Sequence, residues 1–343
     1  MKSDEAVCFE ILPKVSRSFA LAIEALPQPL KTQVCVAYLL CRIVDTIEDH
    51  PYLPQRTPYF DAFDFLLHAP ASTQSPEFST LSALTPPQSG DAELYRVLKE
   101  VFAVYWEFPV PVRGVLLKNI LEMSQGMRGY TAQAGGIVLQ TNDDLDRYCY
   151  YVAGTVGNLL TEIFFLFLNS GNSCSGYGET WRKRQSARGY HFALGLQKVN
   201  MVKDVVKDLR ERGSLFVPQD WLNTFEVTPA DLLQGEKNPR VRALLYYFLR
   251  QAAEHLEAAK DYILELPAAP RGLRLFCIWP YVMAIETLRL ATQKSGLFTA
   301  DHEVKVSRKE MYRMMKATEF LAKSRPALQV FLNHKLGRLM DSI

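Results

Sequence analysis

The sequence has no Cys-x-x-Cys pair, and none of its six cysteines stands near a histidine at metal-ligand spacing. Cys8, Cys35, Cys41, Cys149, Cys174 and Cys277 are scattered instead. That excludes a sequence-readable zinc site or disulfide framework and fits a reducing compartment. No uninterrupted apolar run approaches the roughly 18–20 residues that span a bilayer. The start, Met1-Lys-Ser-Asp-Glu, is polar and carries no secretory leader. Charge of one sign is also missing: 39 basic against 37 acidic residues leave +2, too balanced to imply a nucleic-acid partner. No glycine-rich dinucleotide fingerprint follows a strand, because alternating strand patterns are nearly absent.

Apolar residues at three- and four-residue spacing are abundant. The periodicity predicts helices over 34–49, 94–106, 115–127, 145–167, 186–209, 241–264, 273–293 and 308–322. Proline, glycine and asparagine clusters place breaks at 51–58, 109–111, 169–178, 213–218 and 267–270. The stretch 69–91, rich in Pro, Ser and Thr, is expected to be a long mobile surface loop. With 48% hydrophobic residues and no compositional boundary, residues 1–343 read as one all-α domain.

Two of these helices carry chemistry. In Tyr38-Leu-Leu-Cys-Arg42-Ile-Val-Asp45-Thr-Ile-Glu48-Asp49, residues 38, 42, 45 and 49 share one helical face amid apolar neighbours. Two carboxylates one turn apart in such a setting repel each other and resist desolvation. Arg42 supplies one compensating charge, and a hard divalent cation bound through oxygen supplies the rest. In Gln197-Lys-Val-Asn200-Met-Val-Lys-Asp204-Val-Val-Lys-Asp208, residues 197, 200, 204 and 208 again line one face. Asn and Asp are poor helix-interior residues, so a stripe of them suits an oxygen-lined cavity. Either pair alone is equally compatible with a solvated face bridged by Lys203 and Lys207. Both together, extended by polar residues in register, point to Mg²⁺ holding a diphosphate, with an aromatic-lined apolar cavity sheltering an allylic cation. Ser16-Arg17-Ser18-Phe19, just ahead of a helix, suits anion binding at its N-terminus.

At these residues the chain resembles the squalene and phytoene synthase family, from about residue 16 to residue 318. Arg42 to Asp49 matches the first aspartate-rich motif. Asp204-Val-Val-Lys-Asp208, with Phe216-Val-Pro218-Gln219-Asp220 after it, matches the second. Tyr148-Cys-Tyr-Tyr151-Val-Ala-Gly154-Thr-Val-Gly157 matches a central helix, and Ser16 to Ala20 an N-terminal substrate-binding segment. Leu196-Gln197-Lys198-Val199-Asn200 and Phe276-Cys277-Ile-Trp-Pro280-Tyr-Val-Met283-Ala284 are similar to the squalene branch. Val304-Lys305-Val-Ser-Arg308-Lys309 is similar to a basic segment linked there to the nicotinamide cofactor.

The resemblance implies an isoprenoid-synthase helical bundle around a central cavity. It also implies condensation of two farnesyl diphosphates through presqualene diphosphate, then reduction by NADPH to squalene. By position, Asp45, Asp49, Asp204 and Asp208 hold Mg²⁺ with Glu48 and Asn200 assisting. Arg17 and Arg42 grip diphosphate oxygens, with Ser16 and Gln197 also in the substrate site. Tyr148 faces the first cation and takes part in proton removal. Phe19 and Phe276 line the second cavity, and Asn200, Lys305 and Arg308 contact NADPH. Three features depart from the family pattern. The loop 209–216 lacks an arginine just before its aromatic residue, Ser307 interrupts the basic run, and no hydrophobic C-terminal anchor follows Gly-Arg-Leu-Met-Asp-Ser-Ile. The last suggests an unanchored or trimmed chain: a cytoplasmic monomer with no transmembrane helix, touching membrane only peripherally for product release. Two alternatives stay open. One is a dehydrosqualene-, phytoene- or presqualene-type enzyme that omits reduction; the other is a non-catalytic prenyl-diphosphate-binding helical protein.

Overall fold

The computed structural model describes residues 2–50, 53, 55–70, 74–86, 88–131, 136–170, 177–235, 238–293, 304 and 306–343. The fold is all-α; among the described residues the only β-type pairing is an isolated parallel bridge between Val138 and Leu215. In chain order the first helices are α1 (Asp4–Val15), α2 (Arg17–Glu24), α3 (Leu30–Asp49), α4 (Thr57–His68), α5 (Pro76–Ala83), α6 (Ser89–Arg96), α7 (Leu98–Glu107) and α8 (Val110–Thr131). There follow α9 (Asn142–Cys149), a π-helical turn (Tyr150–Gly154), α10 (Thr155–Asn169), α11 (Glu179–Arg212), α12 (Gln219–Phe225) and α13 (Pro229–Gln234). The last are α14 (Pro239–Glu265), α15 (Gly272–Gln293), α16 (Arg308–Leu321) and α17 (Arg325–Met340).

The chain divides into two compact units. The first joins Met1–Ala132 to Thr155–Ser186. Its centre is α3, which touches α1, α2, α4, α6, α7, α8 and α10. A helix surrounded on most sides must be apolar nearly all round, and Leu30, Val36, Leu39, Leu40, Ile43, Val44 and Ile47 are fully buried. Each such side chain contributes about 1.5–3 kcal/mol on leaving water. Phe63, Phe78 and Tyr105 meet Phe102 edge-on beneath it.

The second unit joins Gln133–Gly154 to Ala187–Ile343. There α14 and α15 pack on each other and both meet α17, while α16 lies on α15 and α12 on α14. Buried Arg274 stitches the loops by donating to the carbonyls of Leu266 (2.8 Å) and Ala322 (2.9 Å). Several helix starts were written locally. Thr141 and Thr228 form capping boxes with Asp144 and Asp231, and Ser307 and Ser324 cap α16 and α17.

The loop expected over 69–91 is a correction. Pro76–Ala83 and Ser89–Arg96 are helices, because Phe78, Leu81, Leu94 and Tyr95 bury themselves and Asp91 finds a cation. Proline misled the reading here: Pro76 stands at the first helical position, where its missing N–H costs nothing. The same rule places Pro58 and Pro111 inside the first turns of α4 and α8, where breaks were expected. The helix expected over 94–106 divides at Val97, and the one over 145–167 carries the π turn. Asn142–Asn169 and Gly272–Thr292 are long and apolar enough to cross a membrane by length and composition, though 67% of the second window is buried in the protein.

Candidate active site

The first acidic stripe belongs to α3 in the first unit. Ser16 ends α1 and caps α2, its hydroxyl accepting from the Phe19 amide at 3.3 Å. It also hydrogen-bonds Tyr38, and the Phe19 and Tyr38 rings lie 5.4 Å apart. The Ser16–Phe19 segment is therefore set against the α3 stripe. Arg17 opens α2 and is exposed.

Arg42 does not pair with Asp45. Its guanidinium is held in a fork by Asp91 on α6, Nε to Oδ1 and Nη2 to Oδ2, both at 2.8 Å. Gln88 accepts a longer contact at 3.4 Å, so Nη1 alone is without a partner among the described residues. Burial pulls the Arg42 proton affinity down, but the bonds to Asp91 and the charges of Asp45 and Asp91 outweigh it. Asp91 is a site residue that sequence reasoning missed, since it fell in the supposed loop.

Asp45 has no hydrogen bond or ion pair within the described residues, and it is the group this arrangement leaves short of positive charge. Its carboxyl is pushed up to about 7, first by burial and then by Asp49 and Asp91, with Arg42 opposing. Glu48 is buried one residue before Asp49, and both have neighbours of their own.

The second stripe belongs to α11 in the second unit. Asn200 is exposed, Gln197 half-buried, and Asp204 and Asp208 partly exposed among buried Val202, Val205 and Val206. Lys203 reaches Asp204 at 3.4 Å, so part of the solvated-face reading holds here. Tyr148 on α9 is buried, its ring 4.9 Å from that of Phe216. Phe216 is fixed by pairing of the chain around 137–140 with the chain around 214–220. The amides of Leu215, Gln219 and Asp220 donate to the carbonyls of Ile137, Leu139 and Gln140 at 2.8–3.0 Å.

Immediately after Tyr148 the helix widens into its π turn. A Cβ on Gly154 would lie 2.6 Å from Cδ2 of Tyr150, so only glycine closes this turn without displacing that ring. Such single turns recur at functional sites. Phe276 is buried in α15, and Arg308 is exposed at the start of α16. Ser307, which interrupts the basic run, is the cap of that helix. Lys305 lies outside the described residues.

No group of three or more His, Cys, Asp or Glu side chains converges on a metal position among the described residues. The donor chemistry still fits a magnesium ion. Asp45 is an orphaned carboxylate one turn from Asp49, and magnesium takes only one or two carboxylates, filling its shell with water and phosphate oxygens. The fit for a nicotinamide dinucleotide is thinner: exposed Arg308 suits a phosphate, and exposed Asn200 offers an amide.

All-helical architecture with aspartate stripes on α3 and α11 defines the class, the isoprenoid-synthase helical fold. Comparison with known proteins narrows it. The squalene/phytoene synthase family model matches residues 12–310, and the chain belongs to that family. Squalene synthase 1 of Arabidopsis thaliana is 30% identical over 299 residues, covering 85% of this chain and 66% of that protein. The chain thus spans just under two thirds of the relative's length. A solved complex of TcSQS with a ligand superposes with a TM-score of 0.81 at 24% identity, covering 99% of this chain and 92% of that one. A dehydrosqualene synthase complex gives 0.66 at 20% identity, covering 92% and 95%.

Proposed function

We propose that this chain joins two farnesyl diphosphates head to head through presqualene diphosphate and then reduces that intermediate with NADPH to squalene. The observation that carries the reading is Asp45, a carboxylate in an apolar helix beside Asp49 that has no ion pair among the described residues. The names of the relatives support the same reaction.

Asp45 and Asp49 on α3 and Asp204 and Asp208 on α11 hold Mg²⁺, with Glu48 and Asn200 assisting. An ion held by these carboxylates would supply the charge that offsets the departing diphosphate. Arg17 and the free edge of Arg42 bind diphosphate oxygens, and Ser16 and Gln197 complete the polar lining. Asp91 keeps the Arg42 fork in one orientation. Tyr148 takes part in removing the proton that is lost as the cyclopropane forms, and the Phe216 ring against it excludes water. Phe19 and Phe276 shelter the second cation. Each half-reaction releases one diphosphate; the first also releases a proton, and the second consumes hydride from NADPH. Arg308, Lys305 and Asn200 are the proposed contacts of that cofactor.

The chain passes between its two units three times, which supports reading 1–343 as one prenyltransferase domain, and we take it to act as a monomer. We place it in the cytoplasm with peripheral membrane contact. Tyr312, Lys316 and Phe320 share one face of α16, and both aromatic rings are largely exposed.

The test is incubation of the pure protein with farnesyl diphosphate and Mg²⁺, with and without NADPH. Squalene matched by NADPH oxidation is expected, and chelation of Mg²⁺ abolishes turnover. A product unchanged by NADPH would replace the reading with a dehydrosqualene- or presqualene-type synthase, and binding without turnover would leave a non-catalytic carrier.

A further inference from the structure

A fully buried lysine stands in the apolar phase of α11. Lys198 follows Leu194 by four residues and precedes Val202 by four, and its side chain is wholly inaccessible. Its ammonium lies 2.6 Å from Oδ1 of Asp146 on α9 and 3.1 Å from Nε2 of His255 on α14. An ammonium has only donors, so it donates to His255 Nε2, which must be unprotonated. The His255 proton then sits on Nδ1 and is donated to Nδ1 of His191, 3.0 Å away. Burial and the neighbouring Lys198 charge hold His255 down at about 4, which keeps it neutral in this chain of bonds.

A second contact joins the same two helices one turn further along. Cys149 Sγ meets Met201 Sδ at 3.4 Å. Both contacts link residues 52 apart in sequence, so α9 and α11 run parallel and in register. That same offset sets Tyr148 level with Asn200.

We propose that Lys198 is a positioning residue. Clamped between Asp146 and His255, it fixes the register that holds Tyr148 beside the polar stripe beginning at Gln197 and Asn200. The inference rests on the function proposed above, because it assigns Tyr148 and Asn200 to one site. A buried ion pair is poor evidence of stabilisation, since apolar replacements of similar volume are often neutral or better. Its value here is directional. Apolar contacts such as Cys149–Met201 tolerate sliding, whereas an ammonium in a fully buried position has one place where it meets both its carboxylate counter-charge and its imidazole acceptor.

The experiment compares wild type with the double variant Lys198→Met, Asp146→Leu and with Lys198→Arg. It reads thermal midpoint, kcat, KM for farnesyl diphosphate and the crystal structure of the double variant. The expected double variant melts within about 5 °C of wild type, since both charges leave together. Its kcat falls at least about 10-fold with KM changed less than about threefold, and the Cys149–Met201 contact opens. A kcat within about twofold of wild type, or an unchanged sulfur contact, overturns the proposal. If the double variant does not fold, Lys198→Arg decides: its longer planar head displaces Asp146, so kcat falls at steady KM, and an unaltered kcat overturns the proposal. A wild-type protein inert towards farnesyl diphosphate sinks the proposed function alone, because the sulfur contact still reads the register.

Discussion

The helices α3 and α11 carry the same Asp-x-x-x-Asp pattern in opposite physical settings. On α3 the stripe lies within a helix that neighbours surround, the Arg42 guanidinium is committed to Asp91, and burial and like charges outweigh it at Asp45. On α11 the stripe is partly exposed, and Lys203 stands against Asp204. Identical spacing therefore yields one pair stressed by desolvation and one that is partly exposed, with a lysine at Asp204. The difference teaches that a motif fixes which atoms are available, while the surrounding packing fixes how much each needs a cation.

The comparison is broken most directly by activity. Asp45→Asn and Asp204→Asn are each expected to lower turnover of farnesyl diphosphate at least about 10³-fold, because either removes a carboxylate proposed to bind the metal. Unaltered turnover in either variant would show that its stripe is not part of the site. Stability should separate the two stripes. Asp91→Ala strands the buried Arg42 charge and is expected to cost about 3–5 kcal/mol in denaturant unfolding. Lys203→Ala removes only a partly exposed contact and should cost under about 1 kcal/mol. Equal costs would erase the contrast.

The pH dependence sharpens it further, since the two units carry groups of opposite sign. The Asp45 carboxyl rises to about 7 on folding, so between about 4 and 7 the folded chain holds the extra proton. Stability from this site then falls as pH rises, by about 4 kcal/mol, and Asp45→Asn abolishes that slope. His255 is lowered to about 4, so between 4 and about 6.5 the unfolded chain holds the extra proton. Its contribution is full above about 6.5 and is lost as pH falls, by about 3 kcal/mol, and His255→Gln removes it. Unfolding curves of both variants at pH 4.5, 6 and 7.5 check both signs. A more modest effect is expected at Gly154→Ala. The displaced Tyr150 ring should cost about 1–3 kcal/mol in the melt, and less if the ring swings clear.

How much was legible follows from what each signal depends on. The buried stripe of α3 and the caps at Ser16 and Ser307 are written within a few residues of one another, so they could be read directly. The helices over 76–83 and 89–96 could not, because proline and serine serve both a loop and a first turn until burial of Phe78 and Leu81 decides. Asp91 was hidden for the same reason. Lys198 did leave a trace, a charged residue in the apolar phase of α11, yet its meaning depended on Asp146 and His255, 52 and 57 residues away.

The sequence by itself determined the helical periodicity, the two acidic stripes and the family to which the chain belongs, because each is carried by residues one or two turns apart. Tertiary structure alone decided which charge meets which: that Arg42 turns to Asp91 rather than Asp45, and that Lys198 locks α9 to α11. Coulomb attraction and desolvation act on distances through space, and those distances exist only once the chain has packed.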